Sequence, residues 1–360
     1  MSTYMAEALR LAALAAGRTS PNPLVGAVIV KDGEVIGRGY HHKAGTPHAE
    51  VHALAEAGDK AAEATAYVSL EPCSHYGRTP PCVQALIQAG VKKVVIAMED
   101  PNPLVSGKGI TQLQAAGIEV EVGDMEQEAR RLNEVFIKFI TTLLPFVVFK
   151  TAMSLDGKIS TSAGESRWIT GPVTRQWVHS LRNRYDGIMV GINTVLADDP
   201  ELTCRIPGGR DPVRLVVDSK LRLPLGARII RSSVTAPLIL GTTTQAPSGK
   251  IFSLEATGVQ VLVYDEPQVP LKQFMLDLAK LEITSILLEG GSTVAWSMLE
   301  AGLVDKVHFC IAPKLIGGAG APGPLGGRGA SKLAKALALG DLQHERSGSD
   351  IIITAYTGAG

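Results

Sequence analysis

The period of the hydrophobic positions changes several times along the first 140 residues, and each change marks a new element. LVGAVIVK (24–31) and EVIGRGY (34–40) alternate as strands do and meet at the turn Lys31-Asp32-Gly33, which predicts a hairpin. A helix is expected over about 48–57, followed by strand 66–70, helix 82–89, strand 93–98, helix 109–116, strand 118–122 and a polar helix from about 124. MSTYMAEALRLAALAAG reads as an ordinary first helix, because the apolar run after Arg10 is too short for a secretory signal. TTLLP looks like a connector, and FVVFK (146–150) opens a second series of buried-type strands: GIMVG, RLVVDS, PLIL, VLVY, SILLEGG, KVHFCIAP and IIITAY. Helices are expected near 172–183, 271–281 and 292–301. Strands alternating with helices give an α/β class in both halves, and a boundary near residue 143 gives domains 1–143 and 144–360. PNPLV occurs at 21–25 and again at 101–105, too short a match for a structural repeat, so both copies read as proline-shaped loops. GGAGAPGPLGGRGA (317–330) reads as a flexible surface loop.

Composition narrows the function classes. A chain of 360 residues exceeds one hydrophobic core and can bury two without staples. Lys plus Arg equals Asp plus Glu at 35 each, and no basic block stands out, which weighs against nucleic acid and for a small-molecule substrate. TTLLPFVVF is short and broken by Pro145, and no run approaches the ~20 apolar residues of a membrane span, so a soluble protein with no membrane partner is expected. The four cysteines, Cys73, Cys82, Cys204 and Cys310, form no dense framework, which points to a reducing cytoplasm. A homo-oligomer, dimer or tetramer, is expected, with apolar strands such as KVHFCIAP as candidates for pairing between subunits.

The chemistry concentrates in TPHAEVHALAEA and EPCSHYGRTPPC. His48, Cys73 and Cys82 make a zinc set of three protein ligands with one position left for water. Glu50 lies two residues past His48, off its helical face, so it is poorly placed as a co-ligand and well placed to move protons beside the bound water. This is the zinc-deaminase pattern, H-x-E followed by two Pro-Cys units. Other readings stay open at this point: a Cys73–Cys82 disulfide, a structural zinc with His75 as fourth ligand, or a cysteine nucleophile with His48 as base. His48 and His52 share a helical face, but Ala49 stands where a metalloprotease helix needs glutamate, so His52 reads as a packed or surface residue. Eight residues separate the cysteines, and His75, Arg78 and Thr79 among them could contact a phosphate or a pyrimidine edge.

The second half has no G-x-G-x-x-G between strand and helix. SILLEGGST does run a buried-type strand into Gly290-Gly291 and then a helix, whose first N–H groups could receive a cofactor phosphate. A Gly-Gly pair before a helix is as often mere tight packing.

PNPLVGAVIV, HAEVHAL, EPCSHYGRTPPC and DPNPLVSGKG, then KTAMSLDGKIS, ESRWITG, LRNRYDGIMVGINTVLADDPELTCR, VVDS and LLEGGST, resemble the bifunctional riboflavin-biosynthesis deaminase/reductase family over the whole chain. The resemblance implies a cytidine-deaminase-like three-layer domain followed by a dihydrofolate-reductase-like α/β domain. It implies that the first removes an exocyclic amine from a phosphoribosylated diaminopyrimidinone and that the second reduces the ribosyl to a ribityl chain with NADPH. Carried over by motif, His48, Cys73 and Cys82 would hold one zinc ion and Glu50 would be the catalytic proton shuttle, with Asn22, His41, His75 and Arg78 as substrate contacts. Lys150, Ser166, Arg182, Leu202, Arg205 and Glu289 would face the reductase substrate, with Arg182 and Arg205 as forks for the ribose phosphate. Ala152, Trp168, Thr194, Asp198, Ser219, Gly290 and Gly291 would face NADPH. Lys150 and Glu289 are the candidates to stabilise charge during ring opening, while Asp156 can equally be a turn residue. Two other functions remain: a monofunctional zinc nucleotide deaminase with a degenerate second domain, and a zinc-stabilised binding module.

Overall fold

The computed structural model of the protein describes residues 3–75, 80–103, 105–232 and 236–358. The chain divides into two compact units, residues 1–144 and 145–360. The first contains α1 (Thr3–Ala13), β1 (Gly26–Lys31), β2 (Glu34–Tyr40), α2 (Ala49–Ala57), β3 (Thr65–Val68), α3 (Cys82–Gln88), β4 (Lys93–Ile96), α4 (Lys108–Ala115), β5 (Glu119–Val122), α5 (Glu126–Leu132) and α6 (Glu134–Thr142). Its strands form one sheet in the order β2-β1-β3-β4-β5. β1 pairs antiparallel with β2 and β3, and β3, β4 and β5 run parallel.

Glycine positions set the layering. A Cβ on Gly26 would lie 1.9 Å from the Ala8 carbonyl of α1, whereas one on Gly39 would lie 2.2 Å from the Ala49 carbonyl of α2. Gly39 is the antiparallel partner of Ala27, the neighbour of Gly26, and successive residues of a strand face opposite sides. Helices α1 and α2 therefore cover opposite faces of the sheet, giving three layers. The core between them is apolar: Val28, Ile29, Ala53, Val68, Leu86 and Ile96 are fully buried.

The second unit contains β6 (Phe146–Ser154), α7 (Pro172–Arg184), β7 (Gly187–Gly191), α8 (Ile192–Asp198), β8 (Val213–Val217), α9 (Arg228–Arg231), β9 (Leu238–Thr243), α10 (Ser248–Glu255), β10 (Gln260–Tyr264), α11 (Leu271–Lys280), β11 (Ser285–Glu289), α12 (Ser292–Glu300), β12 (Lys306–Ala312), β13 (Leu339–Ser347) and β14 (Asp350–Thr357). The sheet order is β10-β9-β8-β7-β11-β6-β12-β14-β13. Seven strands from β10 to β12 are mutually parallel, and β14 and β13 add an antiparallel hairpin. After β6 the chain steps over a strand position to β7, winds outward to β10, then returns with β11 between β7 and β6. That reversal makes a switch point, and in open α/β sheets ligands bind beyond the strand carboxyl ends there.

Three expectations change. KVHFCIAP, expected as a candidate for pairing between subunits, is internal: β12 bonds β6 on one side and β14 on the other, so neither edge is free. LGDLQHERS, not expected as a strand, forms β13, an exposed edge strand whose only hydrogen-bonded neighbour strand among the described residues is β14 and which therefore needs no apolar face. The glycine-rich stretch 317–330 is largely exposed yet anchored at several points, described below.

One buried group in this sheet gives a stability prediction. His308 on β12 is 6 % exposed, with Nδ1 2.8 Å from Thr354 Oγ1, and burial pushes its pKa down to about 3. The folded value lies below the unfolded one, so the unfolded chain binds the extra proton and stability falls as pH drops below about 6.5. The slope from this group should reach about 1.4 kcal/mol per pH unit in the window down to pH 3. Urea unfolding across that range should show a shallower loss for His308→Gln than for the wild type, and equal slopes would contradict it.

Candidate active sites

In the first unit the metal-type residues converge at the carboxyl end of β3 and the starts of α2 and α3. His48 is the N-cap of α2, and its ring makes no capping bond, which frees it to face the cysteines. Cys82 is the first residue of α3, and Cys73 follows Pro72 on the segment leaving β3. His48 Nδ1 lies 3.5 Å from Cys73 Sγ and 3.3 Å from Cys82 Sγ, and the Cys82 N–H donates to Cys73 Sγ at 3.3 Å. Tetrahedral zinc, with Zn–S of about 2.3 Å and Zn–N of about 2.0 Å, requires S to N separations of about 3.5 Å. The donor set fits the ion in both chemistry and spacing. All four cysteines are free thiols, and among the described residues no fourth His, Cys, Asp or Glu joins this cluster. His75 is exposed and stands outside it.

Hydrogen bonding between the sulfurs splits their acidities: the Cys82 thiol holds Cys73 well below the usual thiol range, while the same bond and burial push Cys82 up. A cation among the donors would take both as thiolates. Glu50 is 3 % exposed, within hydrogen-bonding reach of the Cys82 thiol, and its Oε2 is buried with no partner. Burial, then the Cys73 charge, pushes its carboxyl up to about 7, a rise that a divalent cation would counter in part. His41 is buried edge-on to His48 at 5.3 Å between centroids. Its Nδ1 is 3.2 Å from the Pro47 carbonyl and its Nε2 is 3.1 Å from Asn22 Nδ2, so both ring nitrogens are used within the protein and Asn22 is held beside the cluster. Arg78 lies outside the described residues. His52 stacks on His42 at 4.5 Å, a packed histidine.

Sequence reasoning missed Glu71. This carboxylate, 5 % exposed, accepts from the backbone N–H groups of Asp100 (3.1 Å) and Gly107 (3.0 Å) on Oε2, and from Gly109 (2.8 Å) and Ile110 (3.3 Å) on Oε1. It thus caps α4 from another segment, where Gly107 offers no side chain to do so. A Cβ on Gly109 would lie 2.2 Å from the Pro72 carbonyl, so only glycine permits this approach of α4 to the residue before Cys73.

In the second unit, β11 carries Glu289 at its end, in register with Lys150 of β6, and Lys150 is in turn in register with His308 of β12. Arg182 of α7 grips Glu289 with two bonds, Nε to Oε1 at 3.1 Å and Nη2 to Oε2 at 2.8 Å, and its Nη1 donates to the Thr203 carbonyl at 3.1 Å. The fork expected to be open to a phosphate is spent within the protein. Arg205 is the more accessible one, its side chain 58 % exposed and 3.4 Å from Glu201. Burial would raise the Glu289 carboxyl, but Arg182 and Lys150 outweigh it and hold it below the ordinary range. His179, one turn before Arg182 and not singled out from sequence, accepts the Arg205 N–H on Nδ1 at 3.2 Å, and burial lowers its pKa. Leu202 is buried in the left-handed region beside this group.

The expected cofactor residues fall into separate pieces. Gly290 and Gly291 have positive φ and pack on Thr194, whose Oγ1 would lie 3.1 and 3.2 Å from a Cβ at either position. Ser166 Oγ is 3.4 Å from Asp198 Oδ1. Trp168 is 60 % exposed under the Arg175 guanidinium, 4.7 Å from the ring centroid. Ala152 is on β6 in register with Cys310. Ser219 is tied toward the outer strands, its Oγ accepting from the Val269 N–H at 3.1 Å and its carbonyl from Thr243 Oγ1 at 2.9 Å.

Comparison with known proteins assigns both halves. Residues 1–98 match the cytidine and deoxycytidylate deaminase zinc-binding region, and residues 145–353 match the RibD C-terminal domain. The class these sites and matches define is a zinc-dependent deaminase joined to a reductase on one chain. The chain is 46 % identical over 352 residues to the riboflavin biosynthesis protein RibD of Actinobacillus pleuropneumoniae, covering 97 % of this chain and 93 % of that protein. It is 46 % identical over 329 residues to RibD of Escherichia coli, covering 87 % and 88 %. Among solved structures, Acinetobacter baumannii RibD superposes with a TM-score of 0.89 at 41 % identity, covering 99 % of this chain and 98 % of that one. A Thermotoga maritima diaminohydroxyphosphoribosylaminopyrimidine deaminase/5-amino-6-(5-phosphoribosylamino)uracil reductase gives 0.88 at 36 % identity with the same coverage. The chain belongs to the RibD family and is a bifunctional deaminase and reductase of riboflavin biosynthesis. Among the described residues no helix is long and apolar enough to cross a membrane.

Proposed function

We propose that the first unit deaminates 2,5-diamino-6-ribosylamino-4(3H)-pyrimidinone 5′-phosphate and that the second then reduces its ribosyl group to a ribityl chain with NADPH. One observation carries the reading: an imidazole and two thiols at zinc-ligand spacing beside a buried carboxylate oxygen that has no partner. His48, Cys73 and Cys82 would hold the ion, which supplies Lewis acidity and lowers the pKa of water. Glu50 takes a proton on Oε2 from the attacking water and returns protons to the ring and to departing ammonia, a task for a carboxyl with both forms in reach. His41, its ring set by the Pro47 carbonyl, aims the Asn22 amide beside the cluster, and His75 and Arg78 belong to the substrate-facing loop between the cysteines.

In the second unit NADPH would supply the hydride. Arg205 meets the ribose phosphate, and Arg182 holds the Glu289 carboxylate against Lys150, so that this pair stabilises charge as the sugar ring opens. Ala152, Trp168, Thr194, Asp198, Ser219 and the Gly290-Gly291 turn line the cofactor side, with Ser166 and Leu202 on the substrate side. The reading takes the substrate as a small molecule, in keeping with the zero formal charge, and the enzyme as a cytoplasmic homo-oligomer, dimer or tetramer.

Purified zinc-loaded protein should release ammonia from this substrate with or without NADPH, and should oxidise NADPH only once ammonia has appeared. Ammonia without any NADPH oxidation would remove the second half of the reading, and no ammonia would remove the first. Elemental analysis should give one zinc per chain, lost in Cys82→Ser.

A further inference from the structure

The glycine-rich stretch has no part in the chemistry above, yet it is fastened where the expected cofactor residues lie. Asp156, in the turn after β6, accepts on Oδ1 from Ser154 Oγ at 2.6 Å and the Ile316 N–H at 3.0 Å, and on Oδ2 from the Gly317 N–H at 2.7 Å. The same turn grips the chain again further on. Lys158 Nζ donates to the Ala321 carbonyl at 3.1 Å, and the Ile159 N–H donates to the Pro322 carbonyl at 3.0 Å. Upstream, Lys314 Nζ donates to the Trp168 carbonyl at 2.6 Å. Downstream, the Gly326 N–H donates to the Ser292 carbonyl in the first turn of α12 at 3.0 Å. Gly327 then passes so close to Trp296 that a Cβ there would meet the ring at 2.8 Å.

A segment of little more than a dozen residues therefore runs from Trp168 to the start of α12, and both ends touch segments expected to face NADPH. Its sequence suits a fixed path rather than a loose one. Gly317 and Gly318 both lie in the left-handed region, and Ala321, whose carbonyl takes the Lys158 bond, is buried. Asp156 fixes the entry to this path, because it takes two successive backbone N–H groups of the segment at once.

We propose that residues 314–327 form one wall of the cofactor site and that Asp156 is the positioning residue that sets it, holding the wall between Trp168 and Ser292. This rests on the reading that the second unit binds NADPH at those segments. Free of the clamp, the wall leaves its place and the dinucleotide loses contacts, while the charge-stabilising groups Lys150 on β6 and Glu289 on β11 keep theirs.

The test uses the full-length protein and two variants with different lesions. Asp156→Asn replaces one acceptor with a donor facing an N–H, and Gly326→Ala puts a Cβ 2.9 Å from Ser292 Oγ at the far anchor. NADPH titration followed by its own fluorescence should show Kd raised about fivefold to thirtyfold in each variant, the scale of one or two lost hydrogen bonds. KM for NADPH should rise more than kcat falls. Without NADPH, trypsin should cut after Arg328 faster in both variants than in the wild type, and a wild-type circular dichroism spectrum and thermal midpoint should report an intact second unit. Faster cutting with unchanged Kd in both variants would overturn the proposal, as would unchanged cutting and unchanged Kd. Failure of the wild type to bind NADPH at all would instead bring down the cofactor reading beneath it.

Discussion

Glu50→Gln is expected to lower ammonia release by about 10³-fold, within the 10²–10⁴ range of general acid–base catalysis, while zinc content stays at one per chain. The side chain is 3 % exposed, sits beside Cys82, and carries a buried oxygen with no partner. A buried acceptor without a partner costs about 1–3 kcal/mol, which a fold retains where a ligand or water supplies the missing bond. Glutamine matches the shape and removes the proton-carrying ability, so packing and metal binding should persist. NADPH oxidation on pre-deaminated substrate should be unchanged, since it belongs to the other unit. Single-turnover ammonia release with elemental analysis on the same sample decides the matter. A metal-loaded variant releasing ammonia at near the wild-type rate would remove Glu50 from the mechanism.

How much of this was legible in the sequence depends on the range over which each feature acts. The hairpin 26–40 and the parallel strands were readable because alternation and apolar runs are local, and β13 was not because an exposed edge strand needs no apolar face. Helix α9 escaped for a related reason: at four residues it is too short to show a period. The zinc-type set was readable because residue type itself declares the chemistry, wherever the chain brings His48, Cys73 and Cys82 together. His179 could have been found, since it lies three residues before Arg182 on one face of a helix already singled out. The Asp156 clamp could not, because its partners are backbone N–H groups 160 residues away and any residue could supply them.

The same holds for Glu71, whose loss should have the largest effect on the stability of the first unit. It reads in sequence as the first letter of a ligand motif, but its four partners are backbone groups 29 to 39 residues further on. Glu71→Gln leaves one acceptor oxygen and turns an NH₂ toward two N–H donors. Two hydrogen bonds to a charged acceptor are lost, at about 1.5–3 kcal/mol each and less where the donor is part-exposed, so the cost should be about 2–6 kcal/mol. That is comparable with the whole stability of a small domain. The damage should also reach the metal. Glu71 and Pro72 lead directly into Cys73, and α4 rests on the Pro72 carbonyl at Gly109, so freeing the α4 start should loosen one of the three proposed zinc ligands without altering it. Chelator competition should show zinc held at least tenfold more weakly in Glu71→Gln, with urea unfolding shifted to lower concentration. NADPH-linked reduction of the deaminated substrate, carried by residues 145–360, should survive under conditions where ammonia release is lost. Wild-type zinc affinity together with a wild-type unfolding midpoint would show that the four N–H groups find other acceptors, and that the carboxylate is not what ties α4 to the metal cluster.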